Sequence, residues 1–205
     1  MNIAFDKDGT MTDLRYFPIG RGTKSNTKTI LDTAPDLKYE NNALIRKVLY
    51  YGMALYTRVC PYRKGLSELT KKLAEKGDKI TIVTSTCMGT SDYIEGRKIR
   101  ALVELSLIEN DIVYHDIIFT KSNKVKESLE NKFDLVVEDN PHNIISLREA
   151  GINTIRMITS QNDFIENDRH HAAKDILELE YIIERIRKEK ELIKRKENKR
   201  LTLLR

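Results

Sequence analysis

The sequence is poor in the residues that mark specialised classes of protein. Its 205 residues include no tryptophan, two cysteines, four prolines and nine glycines. So little proline and glycine excludes collagen-like and low-complexity chains, and a hydrophobic content of 40% excludes a wholly disordered one. Cys60 and Cys87 stand far apart without metal-ligand spacing, which favours a reducing compartment over a disulfide framework.

Long apolar runs are also missing. No stretch approaches the roughly 20 residues that a membrane-spanning helix needs. The first residues lack the basic segment, apolar stretch and cleavage site of an export signal. We therefore expect a cytoplasmic protein without membrane contact, built as one globular domain with a small appendage.

The net charge of +5 is concentrated at one end of the chain. Residues 185–205 hold ten lysines and arginines against three glutamates, so this segment carries +7 and the rest about −2. A basic helix of this kind can be a solvated end, a docking helix that forms a homodimer, or a nucleic-acid contact. We favour the first two, because nucleic-acid-binding domains usually interleave aromatic residues and Tyr181 is the only aromatic nearby.

Strand-like and helix-like segments alternate along the chain. Short apolar runs that end in polar loops predict strands over 2–5, 79–83, 116–119, 133–137 and 154–158. Helical patterns occupy 65–76, 91–108, 123–132 and 141–150, with Gly77 and Gly151 as two of the stops. This alternation predicts a doubly wound, Rossmann-like α/β fold, whose mostly parallel sheet carries helices on both faces.

One segment interrupts the alternation. Residues 14–60 begin as a loop-like stretch and continue as a helix over 41–57, which predicts a small helical cap inserted over the site. The α/β core would then comprise residues 1–13 and 61–170. Residues 171–205 would form the basic C-terminal helix and tail.

Acidic residues follow two of the predicted strands, at the edge where a doubly wound sheet binds ligands. Asp6 and Asp8 follow the first strand, and in an extended segment they point to the same side, with Lys7 pointing away. Such a pair needs a cation, and its hard oxygen ligands suit Mg²⁺. Asp139, after another strand, is a further candidate ligand.

A lysine and a threonine accompany these acids. Lys124 and the Thr84 hydroxyl would serve the oxygens of a phosphate group, which a purely structural acidic cluster would not need. Taken singly the features are ordinary, since Asp-x-Asp-Gly is more often a solvated turn and Glu138-Asp139 fits the entry to a helix. Their occurrence together at strand ends favours a phosphate site.

Four separated motifs stand in one order along the chain: Asp6-Lys7-Asp8-Gly9-Thr10, Ile82-Val83-Thr84-Ser85, Lys124 and Val137-Glu138-Asp139-Asn140. In type, order and strand context they resemble the motifs of the haloacid dehalogenase superfamily of phosphohydrolases. The resemblance covers about residues 1–160, and the 14–60 insertion corresponds to the small helical cap of that superfamily. Within it, the chain is similar to the cytosolic 5′(3′)-deoxyribonucleotidases and related type C 5′-nucleotidases.

The resemblance implies catalytic roles for the matching residues. Asp6 would be the nucleophile that forms an aspartyl-phosphate. Asp8 would protonate the leaving oxygen and then activate water. Thr84 would position the phosphoryl group, and Lys124 would offset the charge on phosphate and nucleophile.

The resemblance also implies Mg²⁺ as the cofactor. The side chains of Asp6 and Asp139 and the backbone carbonyl of Asp8 would hold the ion, with Glu138 acting through water. The residues implied to contact phosphate or substrate are Lys7, Gly9, Thr10, Tyr16, Phe17 and Ser85. Of these, the two aromatic residues fit either a base or sugar pocket or packing under the cap.

Two lysines follow the third predicted strand, Lys121 and Lys124. Lys124 opens a helix and lies 15 residues before Asp139, as the family pattern expects. We therefore assign the catalytic role to Lys124 and keep Lys121 as the alternative.

Asp8 distinguishes among related chemistries. Ion-pumping ATPases of this superfamily carry threonine at the matching position, and their phosphoenzyme persists, so Asp8 favours prompt hydrolysis. The sequence predicts a phosphatase for a small phosphorylated metabolite, with a nucleoside 5′-monophosphate first and a sugar phosphate second. Two other classes stay open: a phospho-accepting receiver, which the position of the acidic pair at the first strand disfavours, and a non-catalytic interaction protein acting through its basic tail.

Overall fold

The computed structural model describes residues 1–13, 42–121, 124–165 and 171–203, with side chains as far as residue 196. Within these ranges the strands are β1 Asn2–Phe5, β2 Lys79–Thr84, β3 Asp116–Phe119, β4 Leu135–Glu138, β5 Thr154–Met157 and β6 Ala172–Ala173. The helices are α1 Ala43–Val59, α2 Leu66–Glu75, α3 Ile94–Glu109, α4 Val125–Glu130, α5 Pro141–Glu149 and α6 Ile176–Leu203. A short helical turn, Lys7–Met11, follows β1.

All strand pairs of the sheet are parallel, in the order β3-β2-β1-β4-β5-β6. This order confirms the predicted doubly wound fold. It reverses direction between β1 and β4, and in open α/β sheets the crevice at such a reversal, beyond the carboxyl ends of the strands, is the usual ligand site. Phe5 lies level with Val137 of β4 and with Ile82 of β2, so the residues that follow these strands meet at one edge.

Helices cover both faces of the sheet because successive strand residues point to opposite sides. Phe5 belongs to one buried cluster with Leu69 of α2 and Ile183 of α6. Its neighbour Ala4 belongs to a second cluster with Leu147 of α5. Burial of apolar surface on the two faces holds the strand ends in fixed positions.

The predicted element boundaries are close to the observed ones. Gly77 and Gly151 adopt φ values of +78° and +74° directly after α2 and α5, which confirms them as helix stops. The predicted strand over 133–137 begins later, at Leu135. The sequence pattern missed β6, whose two residues are too few to show a period.

Helix α1 lies within the predicted cap. Its N-terminus is capped by the Asn42 side chain, which accepts hydrogen bonds from the backbone N–H groups of Leu44 and Ile45. The helix packs against α3, where the Arg46 guanidinium lies 4.0 Å from the ring centre of Tyr93. Residues 14–41 lie outside the described residues, so the division into core, cap and tail stays a prediction.

Helix α6 has the charged sequence that was predicted for a C-terminal helix. Over the part of the chain that the structure describes, no helix, α6 included, combines the length and apolar character needed to cross a bilayer. The apolar side of α6 packs on the sheet through Leu179, Ile183 and Ile186. A homodimer contact through this helix stays a prediction.

An ion pair joins α6 to the start of β2. The buried Asp78 carboxylate accepts hydrogen bonds from Nη1 of Arg187 at 2.9 Å and from Nη2 of the same side chain. Burial by itself raises the pKa of Asp78, but the bonds from Arg187 outweigh this effect and hold the pKa below its ordinary value of 3.8. The pair therefore stabilises the fold wherever Asp78 is ionised.

We expect Asp78→Asn to lower the free energy of unfolding by roughly 2–3 kcal/mol at pH 7, because it removes the charged partner that Arg187 shares with the Met1 amino group and leaves Arg187, within the described part of the chain, with Glu184 alone. Since the folded-state pKa is the lower one, this difference should be constant above about pH 4 and should shrink as the pH falls further. Urea unfolding at pH 7, 5 and 3 measures it. The exposed Glu130, 3.9 Å from Lys126, provides the control: Glu130→Gln should change stability by less than about 0.5 kcal/mol. A pH-independent difference for Asp78→Asn would contradict the assignment.

Candidate active site

The centre of the site is Asp6, which follows β1 at the reversal point of the sheet. Its backbone N–H donates to the carbonyl of Val137 at 2.9 Å, so β1 and β4 stay paired up to the first acidic residue. Parallel pairing therefore brings Asp6 next to Glu138 and Asp139 at the end of β4. Only 5% of Asp6 is exposed.

Three buried carboxylates converge there. Oxygen atoms of Asp6, Glu138 and Asp139 lie within 4.8 Å of one another. The Lys124 ammonium contacts Oδ1 of Asp6 and lies 2.8 Å from Oε2 of Glu138. Three ionised carboxylates and one ammonium leave a local charge of −2, which a divalent cation would neutralise.

The electrostatics of this cluster point the same way. Burial raises the pKa of Asp6 to about 7, although the neighbouring Lys124 acts in the opposite direction. Burial, together with the charges of Asp6 and Glu138, raises the pKa of Asp139 well above its ordinary value. Full ionisation of the cluster is thus unfavourable without a further cation. Because all the donors are hard oxygen atoms, the donor set fits Mg²⁺.

Lys124 is held in its charged form. Burial alone would lower the pKa of its ammonium, but the adjacent Asp6 and Glu138 outweigh this effect and raise it. Only 1% of the residue is exposed, whereas Lys121 is exposed. The structure therefore places Lys124, and not Lys121, against Asp6.

Asp8 has a separate set of partners. Its Oδ1 atom accepts a hydrogen bond from the Tyr56 hydroxyl at 2.9 Å and lies 2.5 Å from the Lys7 ammonium. Its Oδ2 atom accepts a hydrogen bond from the Thr86 hydroxyl at 2.9 Å. Burial tends to raise the pKa of Asp8, but Lys7 and the two hydroxyl groups outweigh it and hold the pKa below its ordinary value.

The expectation that Lys7 points away from the acidic pair is wrong. The strand ends at Phe5, and the chain enters the helical turn Lys7–Met11 instead of continuing as an extended segment. The turn brings the Lys7 side chain, 1% exposed, back onto Asp8. The loss of strand geometry after Asp6 is also why Asp6 and Asp8 have different partners.

Gly9 allows this turn to pass close to β4. It adopts φ +96°, and a Cβ atom built there would lie 2.6 Å from Cγ of Asp139. The next residue, Thr10, donates its hydroxyl to Oδ1 of Asp139 at 3.1 Å. Arg63 binds the outer side of the turn, donating to the carbonyls of Gly9 at 2.7 Å and Thr10 at 2.9 Å.

Two threonines at the end of β2 complete the described site. The hydroxyl groups of Thr84 and Thr86 lie 2.8 Å apart, and both residues are buried. Ser85, between them, is exposed. The structure thus brings Thr84 to the site through Thr86, which the sequence interpretation missed although it follows Thr84 at the two-residue spacing of one strand face.

The backbone at Asp139 is held in place by hydrogen bonding to Asn162, which is fully buried. The Asn162 amide donates to the carbonyl of Asp139 at 2.6 Å and to that of Met157 at 2.8 Å. Glu138 in turn accepts the backbone N–H of Asn140 at 2.9 Å. No local pattern in the sequence singles out Asn162, because its contact with the site is to Asp139, 23 positions earlier in the chain.

Two predicted substrate-binding residues, Tyr16 and Phe17, lie outside the described residues, so their place in a substrate pocket stays a prediction. Tyr56, a second residue that the sequence interpretation missed, comes from α1. The roles assigned to the individual residues of the site also stay predictions.

No protein-family model and no curated protein matches the sequence. Solved structures do match its fold. D,D-heptose 1,7-bisphosphate phosphatase from B. bronchiseptica, solved with magnesium and phosphate, has a TM-score of 0.54 at 11% identity, covering 90% of this chain and 99% of that one. CbbY from Rhodobacter sphaeroides, solved with phosphate, has a TM-score of 0.56 at 12% identity, covering 87% and 95%.

A family IA haloacid dehalogenase hydrolase from Entamoeba histolytica also matches, with a TM-score of 0.52 at 17% identity, covering 91% of this chain and 99% of that one. At these identities the likeness is one of fold. The part of the chain that the structure describes therefore shares its fold with these hydrolases.

Proposed function

We propose that this protein is a Mg²⁺-dependent phosphatase of the haloacid dehalogenase type, which hydrolyses a small phosphomonoester through an aspartyl-phosphate. The observation that carries the proposal is the position of Asp6. It lies buried between the Lys124 ammonium and two further carboxylates, while Asp8 is held apart by Lys7, Tyr56 and Thr86. A two-step phosphoryl transfer needs an ionised nucleophile and a protonated acid. In the free site the pKa of Asp6 is raised and that of Asp8 is lowered, so a bound cation would have to lower the first and the negative phosphoryl group would have to raise the second.

In the first step, a carboxylate oxygen of Asp6 forms a bond to phosphorus, and the bond from phosphorus to the leaving oxygen breaks. Asp8 gives its proton to that oxygen. In the second step, water attacks the phosphorus and gives a proton to Asp8, and the Asp6–phosphorus bond breaks to release phosphate. Lys124 stays protonated throughout and offsets the charge on Asp6 and on the phosphoryl oxygens.

The cofactor would be held by Asp6, Glu138 and Asp139. Mg²⁺ at this position neutralises charge on the transferring phosphoryl group. Thr84 and Thr86, with the loop that carries Lys7, Gly9 and Thr10, would orient the phosphoryl oxygens.

The substrate is proposed from the resemblances. A nucleoside 5′-monophosphate is the first candidate, because the motif set is similar to that of the 5′-nucleotidases. The shared fold with a sugar bisphosphate phosphatase supports sugar phosphates as the second candidate. The site is proposed for a cytoplasmic enzyme acting on a small metabolite and not on nucleic acid.

The test is phosphate release from a panel of nucleoside monophosphates and sugar phosphates, with Mg²⁺ and with EDTA. We expect release with Mg²⁺ only. Asp139→Asn should raise the Mg²⁺ concentration for half-maximal activity at least about tenfold, because it removes one charged ligand. The control is Glu149→Gln at the exposed end of α5, which should leave it unchanged.

Two results would count against the proposal in different ways. If no monoester releases phosphate with Mg²⁺, the phosphatase assignment is wrong. If Asp139→Asn has the same Mg²⁺ dependence as the unaltered protein, the metal site lies elsewhere.

A further inference from the structure

Helix α1 contributes one buried side chain, Tyr56, which is 7% exposed. Its hydroxyl lies 2.9 Å from Oδ1 of Asp8 and 3.2 Å from the hydroxyl of Thr12. Its ring lies 5.1 Å from the Lys7 ammonium, which also contacts Oδ1 of Asp8. A helix from the predicted cap thus reaches one oxygen of the proposed acid.

The two oxygens of Asp8 have different surroundings. Oδ1 takes both the Lys7 ammonium and the Tyr56 hydroxyl. Oδ2 takes the hydroxyl of Thr86, which is itself 2.8 Å from the hydroxyl of Thr84. Oδ1 is therefore held by two donors, one from the turn after β1 and one from α1. Oδ2 faces the threonines that are proposed to orient phosphate.

We propose that Tyr56 is a positioning residue for Asp8: with Lys7 it anchors Oδ1, so that Oδ2 is the oxygen that exchanges the proton with the leaving group. This inference rests on the proposed phosphatase function. In the first step the proton moves from Oδ2 to the leaving oxygen as its bond to phosphorus breaks, while the donor contacts on Oδ1 are kept. In the second step Oδ2 takes the proton of the attacking water.

Two anchors are needed because of the freedom of a carboxylate. The terminal torsion of an aspartate is broad and roughly two-fold, so one donor does not fix which oxygen faces the substrate. The Lys7 side chain has several rotatable bonds, whereas the Tyr56 ring is rigid and is buried near the C-terminal end of α1. Loss of the hydroxyl should leave Asp8 in place but let its carboxylate turn.

The test compares Tyr56→Phe, which removes only the hydroxyl, with Tyr51→Phe on the exposed side of the same helix, where Tyr51 is 69% exposed. For an alkyl phosphate, whose leaving oxygen needs a proton, Tyr56→Phe should lower kcat/KM, which reports the steps up to formation of the aspartyl-phosphate, roughly tenfold or more. For p-nitrophenyl phosphate, whose leaving group departs without protonation, kcat/KM should fall less than about threefold. Tyr51→Phe should leave both rates unchanged.

The ratio of the two kcat/KM values is the decisive quantity, because hydrolysis of the shared aspartyl-phosphate does not enter it. It is also measured on one preparation, so it does not depend on how much of the variant is folded. If Tyr56→Phe leaves this ratio as in the unaltered enzyme, while that enzyme is an active phosphatase, the positioning role is overturned and the proposed function stands. If the unaltered enzyme hydrolyses neither ester nor any member of the monoester panel, both are overturned. A selective loss for the alkyl ester supports the role.

Discussion

Asp6→Asn is expected to abolish phosphatase activity, lowering kcat by at least about 10³-fold, because the amide cannot form the aspartyl-phosphate. The loss should not come from unfolding. Asparagine keeps the size of the side chain, and Lys124 retains a carboxylate partner, since Glu138 lies 2.8 Å away. Phosphate release with saturating Mg²⁺ measures the effect. The control is Asp116→Asn at the opposite, amino end of the sheet, where the residue is exposed and activity should be unchanged.

Although Asp6→Asn should lose activity, it should not lose stability in the absence of metal. The pKa of Asp6 is raised to about 7, so ionising this group destabilises the metal-free fold as the pH rises from about 4 through 7. Asparagine does not ionise. In EDTA, Asp6→Asn should therefore be at least as stable as the unaltered protein at pH 8, and its relative advantage should disappear near pH 4. Two results would contradict this account. One is retained activity of Asp6→Asn. The other is a stability difference in EDTA that favours the unaltered protein more at pH 8 than at pH 5.

The convergence of Asp6, Lys124 and Asp139 could be predicted from the sequence. Asp6 and Asp139 directly follow β1 and β4, and Lys124 precedes α4, the helix after β3. The carboxyl ends of parallel strands share one edge of the sheet, so these residues are expected to meet there. Burial of the strands is set by apolar runs that the sequence displays directly. The fold class and the meeting of the strand ends therefore follow from local patterns and from topology, whereas the choice of Lys124 over Lys121 and the inclusion of Glu138 used the resemblance to the phosphohydrolase motifs.

The partners of Asp8 could not be predicted in the same way. Lys7 was expected to point away, because the sequence does not reveal that the strand stops at Phe5 and the chain coils. Tyr56 comes from α1, and its meeting with Asp8 depends on how that helix docks against the core. Contacts of this kind are set by tertiary packing, which has no periodic signal in the sequence.

The residues that hold the loops belong to the same class. Arg63 binds the carbonyls of the turn after β1, Asn162 binds the carbonyl of Asp139, and Arg100 binds the carbonyls of Gly89 and Ser91 beyond β2. Each is a side-chain donor to backbone oxygens, so its identity is readable only once the loop is folded. Together they fix loops beyond β1, β2 and β4, which suits a reaction that depends on positioning.

The turn after β1 passes close to the Asp139 side chain at Gly9, and Gly9→Ala is expected to disable the metal site. Its φ of +96° strains any residue with a side chain, at a cost of roughly 1–2 kcal/mol in stability. The added methyl group would also collide with the Asp139 carboxylate, whose Cγ would be 2.6 Å from the new atom. Because the turn and the buried carboxylate cannot both stay in place, either Asp139 moves away from Asp6 and Glu138 or the turn that follows Asp6 shifts, and each change disturbs the carboxylate cluster.

Gly77→Ala separates the two causes. Gly77 has a similar φ of +78°, but a Cβ atom there would meet nothing within 4 Å. Both variants should lose roughly 1–2 kcal/mol of stability from backbone strain. Only Gly9→Ala should lower kcat, by at least about 100-fold, and raise the Mg²⁺ requirement, since only this variant displaces a proposed ligand. Urea unfolding in EDTA and phosphate release across a Mg²⁺ titration provide the two readings. If Gly9→Ala has the activity and Mg²⁺ dependence of Gly77→Ala, the position of Asp139 does not govern the chemistry. The proposed metal site would then be wrong, even if Asp6 proved to be the nucleophile.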